Sequence, residues 1–215
     1  MRVGVFGGCF NPVHIGHLSL IEEVLTRFAL EKVLVVPNMN PYYKVHKEVS
    51  FDLISKMIKL AIDDKWNCEI STLESDPNKD YATYKTLRVI TEDNLNNELY
   101  LILGSDQFLQ FPNWKNSDEI KDKINLIIAL RDNYIINIED YIDKNIHYSK
   151  LDSRNRAHIF KSNNDKELIF YDLIKKFDIS SSIIQKMLSL GAVDEVEQFL
   201  TPRVLNFILE KGLYR

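Results

Sequence analysis

Residues 2–17 read RVGVFGGCFNPVHIGH, and this stretch constrains the fold more than any other. Arg2–Phe6 is a short apolar run, as in a buried strand, and it passes straight into Gly7-Gly8. A helix over Gly16–Phe28 follows, with Leu18, Ile21, Val24, Leu25 and Phe28 at helical spacing. A strand that turns through glycines into a helix opens a βα unit, and the rest of the chain continues the pattern. Strands are expected at Lys32–Val36, Cys68–Thr72, Leu99–Leu103, Asn125–Leu130 and Leu168–Tyr171. Helices are expected at Phe51–Ile62, Thr83–Leu95, Ser180–Leu190 and Pro202–Lys211, with Pro202 in a first turn. Such alternation predicts a Rossmann-like, doubly wound α/β fold: a mostly parallel sheet with helices on both faces. Its ligand belongs beyond the carboxyl ends of the strands, so the loops after Phe6, Val36, Leu103 and Leu130 should converge.

The chain of 215 residues suits a single domain, 1–215. The polar stretch Asp132–Lys166 breaks the pattern and reads as an insertion, a small helical excursion or a loop, with an amphipathic piece around Ile136–Ile146. The net charge of −4, without a long Lys/Arg block, argues against general nucleic-acid or membrane-surface binding. Cys9 and Cys68 suggest neither a disulfide framework nor a zinc site, and no metal cage is visible. The N-terminus resembles no leader peptide, and no apolar run approaches the ~18 residues of a membrane span. A cytoplasmic location is the expectation, and the sequence is compatible with a homo-oligomer without fixing one.

The chemistry concentrates at GGCFNPVHIGH. Glycines permit a tight turn and close backbone approach. The helix start is expected to aim free N–H groups and a positive dipole end at the loop, which favours phosphate. His14 and His17 share a helix face and can address one group, with Gly16 leaving room for a base or sugar. This suits phosphoryl or nucleotidyl transfer, which needs alignment and charge neutralisation more than covalent help. Each part alone is commonplace; a His pair at this spacing is more often a surface or core feature.

The whole string is specific. GGCFNPVHIGH resembles the GGxFDPxHxGH signature of the nucleotidyltransferase superfamily that includes nicotinate- and nicotinamide-mononucleotide adenylyltransferases. The resemblance covers about 1–131 and 167–215. It implies His14 and His17 as catalytic contacts to ATP phosphates, and Gly7, Gly8, Cys9, Phe10, Asn11 and Gly16 as the surrounding ATP site. LGSDQFLQFPNWKN resembles the family's GxDxxxxxxxW segment; it implies Gly104 and Asp106 on the ATP side and Trp114 as platform for the pyridine ring. DISSSIIQKML resembles ISSTxIR, adding Ile179, Ser180, Ser181 and Ser182 to the ATP site. Lys44 in VPNMNPYYK, Thr83 in YATYKT and Arg131 take family positions near the substrate.

What the resemblance implies is adenylyl transfer from ATP to nicotinate mononucleotide. The products are nicotinate adenine dinucleotide and pyrophosphate, and Mg²⁺ is carried in with ATP. Four positions depart from the family: Asn11 for Asp, Ile54 and Gln185 for Arg, and Lys85 for Asp. Gln185 matters most, because the family Arg holds the triphosphate by a charge-assisted contact. The departures feed the alternative of a nucleotide-binding sensor with weakened catalysis; preference for nicotinamide mononucleotide is a second alternative, because the sequence does not show which groups reach the ring substituent. The ending LTPRVLNFILEKGLYR also resembles the family and is expected to carry no chemistry.

Overall fold

A computed structural model describes residues 1–38, 49–62, 66–76, 78–79, 81–131, 138, 148–154 (backbone) and 157–215. Lys44 and most of the amphipathic piece at 136–146 lie outside them.

Eight strands form one sheet. They are β1 (Arg2–Gly8), β2 (Lys32–Pro37), β3 (Cys68–Ile70), β4 (Glu98–Gly104), β5 (Asn125–Leu130), β6 (Tyr148–Arg154), β7 (Ala157–Ser162) and β8 (Glu167–Asp172). Their order is β3-β2-β1-β4-β5-β8-β7-β6. The first six in that order pair in parallel, whereas β7 pairs antiparallel with β8 and β6 antiparallel with β7. The helices are α1 (Ile15–Arg27), α2 (Phe51–Ile62), α3 (Thr83–Asp93), α4 (Ser105–Gln110), α5 (Ser117–Lys123), α6 (Ser181–Ser189), α7 (Val193–Glu197) and α8 (Pro202–Lys211).

The core has two sides because the strands alternate strictly. Val3 and Val5, Leu101 and Leu103, Leu126 and Ile128, and Leu168 and Phe170 pack on one face with Leu87, Ile90, Phe108 and Ile120 of α3–α5. Phe6, Tyr100, Ile102, Ile127, Ile169 and Tyr171 pack on the other, with α1, α2, α6 and α8. Period-two strands buried on both faces are the signature of a doubly wound sheet. Each fully buried Leu, Ile or Phe contributes roughly 1.5–3 kcal/mol relative to exposure.

Within the expected insertion Ile138 is helical, but Tyr148–Arg154 and Ala157–Ser162 depart from the expected helix or loop: as β6 and β7 they pair antiparallel and extend the sheet through β8. YSKLDSR lacks an apolar alternation to announce a strand, yet edge strands gain their pairing from the backbone. Elsewhere the expected elements agree to within a few residues.

Chain order reverses between β1 and β4, which lie side by side and parallel. Their carboxyl ends, with those of β2 and β5, share one edge of the sheet, where helices α1, α3 and α4 begin. This is the crevice in which such folds bind ligands.

Candidate active site

The β1–α1 loop sets the geometry. Phe10 has φ 47°, in the left-handed region that a non-glycine residue enters only at a cost. Its ring meets Phe6 edge-on at 5.3 Å and His17 at 5.0 Å. His14 is the N-cap of α1, and its Nδ1 accepts the Gly16 N–H at 3.2 Å. His17 reciprocates: its Nδ1 accepts the His14 N–H at 3.2 Å. The two rings lie 3.8 Å apart between centroids. This is a capping box built from two histidines.

An imidazole nitrogen that accepts a backbone N–H carries no proton. With Nδ1 accepting, each ring carries its proton on Nε2. His14 is 4% exposed, and its pKa is held down at about 3, by burial first and by the Arg131 guanidinium second. It works as a neutral donor.

The expectation of free N–H groups at the start of α1 fails. Ile15 N–H donates to the Phe199 carbonyl at 3.0 Å, Gly16 N–H to His14 Nδ1, and His17 and Leu18 N–H to the His14 carbonyl. The donors that a phosphate would meet there are the imidazoles. A β-carbon at Gly16 would lie 3.1 Å from the His14 ring and 3.8 Å from the Phe177 β-carbon, so any side chain there would crowd the ring that caps α1.

Across the crevice, Gly104 ends β4 and Asp106 lies in the first turn of α4. A β-carbon on Gly104 would sit 2.5 Å from Asp106 Oδ1 and 3.8 Å from Arg131 Cζ, so the glycine lets carboxylate and guanidinium close over the strand end. Fully buried Ser105 accepts the Arg131 N–H at 3.2 Å and ties the end of β5 to α4. Arg131, Asp106 and His14 thus meet at the switch point.

Ser180 caps α6 by accepting the Ile183 N–H at 3.3 Å, which leaves its own proton available. Ser181 Oγ donates to the Pro12 carbonyl at 2.9 Å, Ile179 is buried, and Ser182 is exposed. Gly7, Gly8 and Cys9 carry the chain from β1 into the loop, with Gly8 accepting the Asn38 N–H at 2.9 Å. Thr83 opens α3, and half-buried Trp114 packs on Phe111 at 5.4 Å. Lys115, beside Trp114, lies 5.8 Å from the ring of Tyr84, which brings the Trp114 loop next to the start of α3.

With this geometry in place, the comparisons are decisive. Residues 5–187 match the family model described as cytidylyltransferase-like. A probable nicotinate-nucleotide adenylyltransferase of Clostridium perfringens (strain 13) is 32% identical over 215 residues, covering 100% of this chain and 98% of the relative. One from Caldicellulosiruptor bescii is 32% identical over 216 residues, covering 100% of both. The chain belongs to the nicotinate-nucleotide adenylyltransferase family. The Plasmodium falciparum nicotinic acid mononucleotide adenylyltransferase, complexed with NaAD, superimposes with a TM-score of 0.78. It covers 99% of this chain and 97% of that one at 18% identity, which shows the shared fold.

Within the family frame the four departures separate. Ile54 is buried in the core and Lys85 is exposed on α3. Asn11 and Gln185 meet: Gln185 Nε2 donates to the Asn11 carbonyl. The segment Leu200–Arg215, expected to carry no chemistry, also reaches the loop, because Tyr214 OH donates to Asn11 Oδ1. Sequence reasoning also misses Glu74, which is 5% exposed and accepts the Thr86 hydroxyl at 2.6 Å. Burial raises its pKa to about 7 against the lowering effect of that bond. No motif marks it; only the fold brings the turn after β3 onto α3. Among the described residues, no helix is long and apolar enough to cross a membrane.

Proposed function

We propose that the chain transfers the adenylyl group of ATP to nicotinate mononucleotide, giving nicotinate adenine dinucleotide and pyrophosphate. One observation carries the reading: two histidines at the switch point are locked by reciprocal backbone bonds as neutral Nε2–H donors. In-line transfer at the α-phosphorus spreads negative charge over the phosphate oxygens. Donors already oriented for that charge need no reorganisation at the moment of reaction. The 5′-phosphate of the mononucleotide attacks, the bond to the β-phosphate breaks, and pyrophosphate leaves with the electron pair. No protein group exchanges a proton, and no covalent intermediate forms.

ATP enters as its Mg²⁺ complex. In that complex the phosphate oxygens carry the ion. His14 and His17 address the α- and β-phosphates, while Ser180 and Ser182 serve the nucleotide side. Trp114 offers a flat apolar face to the pyridine ring beside Thr83. Arg131 is a cation able to pair with the substrate's carboxylate or phosphate, which favours nicotinate over nicotinamide. Cytoplasmic placement agrees with a reaction on soluble nucleotides.

The test is direct. Purified protein is mixed with ATP, Mg²⁺ and either mononucleotide, and dinucleotide and pyrophosphate are measured beside a His17→Ala variant. Dinucleotide from the nicotinate substrate, lost in the variant, is the expected result. Preference for the amide would overturn the specificity. Silence with both, despite ATP binding, would replace the enzyme with a nucleotide sensor.

A further inference from the structure

Three side-chain bonds reach the Cys9–Val13 loop from elements remote in sequence, α6 and the turn after α8. Tyr214 OH donates to Asn11 Oδ1, Gln185 Nε2 to the Asn11 carbonyl, and Ser181 Oγ to the Pro12 carbonyl. Asn11 is 4% exposed, so its polar atoms need partners inside the protein. Tyr214 stays protonated, because burial pushes its pKa up. Its hydroxyl is therefore a donor at any working pH, matched to an amide oxygen that only accepts.

The neighbour of Asn11 shows what the bonds hold. Phe10 sits at φ 47°, a left-handed conformation that a non-glycine residue keeps only when its surroundings impose it. The Phe10 ring packs on His17, 5.0 Å away, and His17 is locked to His14. Loss of the bonds at Asn11 frees Phe10 to relax, and His17 loses its wall. Gln185 spends its amide on the loop backbone, where the family signature places an arginine for the triphosphate.

We propose that Tyr214, Gln185 and Ser181 form a clamp on the Cys9–Val13 loop that positions His17 for the transfer, with Gln185 acting on the loop and not on the phosphates. All three are positioning residues, and the proposal rests on the adenylyl-transfer reading above.

The test uses the full chain with Tyr214→Phe, Gln185→Met and Ser181→Ala, each removing one donor at near-constant shape. Amide hydrogen exchange of the peptide spanning 9–13 is read without nucleotide, beside the thermal midpoint. One lost hydrogen bond should raise exchange there about threefold to tenfold, with distant peptides unchanged. In turnover, kcat should fall while KM for ATP holds within about threefold, as expected for a group that acts in the transition state only. In an Asn11→Ala background, Tyr214→Phe should have no further effect on kcat or on exchange.

Unchanged exchange at 9–13 overturns the clamp. So does a Gln185→Met variant whose KM for ATP rises with kcat intact, since that marks a phosphate ligand. A variant that fails to fold leaves the other two to decide. Exchange needs no turnover, so a protein that makes no dinucleotide refutes the functional reading while the clamp is still judged on the exchange of its loop.

Discussion

Replacing Glu74 by Gln isolates one buried charge whose effect is hidden in the wild-type protein. The folded-state pKa of Glu74 is raised from 4.5 to about 7 by burial. Between these values the folded protein holds a proton that the unfolded chain has released. Stability from this group is therefore fully present below pH 4.5 and lost as pH rises through about 7. At ~1.4 kcal/mol per pH unit the loss is about 3 kcal/mol. His14 works in the opposite sense. Its pKa falls from 6.5 to about 3, so its contribution is present above 6.5 and lost as pH falls through about 3. Between pH 4.5 and 6.5 the two slopes cancel, and the wild-type protein shows little trace of either. Glu74→Gln keeps an acceptor for the Thr86 hydroxyl and removes the titration. Denaturant unfolding at pH steps from 4 to 8 reads the outcome. The stability difference, variant minus wild type, should rise by about 3 kcal/mol across that range. A difference that is flat with pH would refute the reasoning and place an ionised Glu74 at no cost in the fold.

Other outcomes follow from the same geometry. His14→Asn keeps a good N-cap and loses the Nε2–H donor; melting should move little while kcat falls by roughly 10²–10³, as for a lost oxyanion donor. Gly16→Ala places a methyl 3.1 Å from the His14 ring; dinucleotide formation should drop, and the imidazole's NMR signals should move, while the fold persists by circular dichroism. Gly104→Ala drives a β-carbon to 2.5 Å from Asp106 Oδ1, so the KM values should rise, checked by steady-state kinetics with each substrate varied. Because His14 is neutral down to about pH 3, the pH–rate profile should show no acid limb near 6.5 from this residue.

The parts of the molecule legible in the sequence are those whose physics is local. Apolar periodicity marks β1, α1, β4 and β5 because each strand is buried on both faces and each helix on one. His14, His17, Gly104 and Asp106 stand out in the sequence because their motifs resemble the family signature, each part alone being commonplace. The rest depends on partners far along the chain. The Ile15 N–H is closed by the Phe199 carbonyl, and Asn11 by Gln185 and Tyr214, 174 and 203 residues away. No window of sequence holds both sides of such a bond. β6 escapes for another reason: backbone pairing with β7 makes it a strand, and its side chains need not alternate.

The closed amides at the start of α1 change how the helix acts on a phosphate. A helix end with free N–H groups would bind the nucleotide's ground state and transition state alike, and uniform binding does not raise kcat. On the proposed reading, the field of the helix would reach the phosphate through His14. The Gly16 N–H, at the positive end of the dipole, donates to Nδ1. Donation there polarises the ring and strengthens Nε2–H as a donor, as along any hydrogen-bonded chain. The imidazole extends the helix end by the width of a ring, so a single tautomer with fixed orientation receives the charge. The low pKa of His14 serves the same end. A protonated ring could not accept from Gly16, and it would grip the triphosphate before reaction as tightly as during it. Burial keeps the ring neutral throughout, as the proposed transfer without protein proton exchange requires.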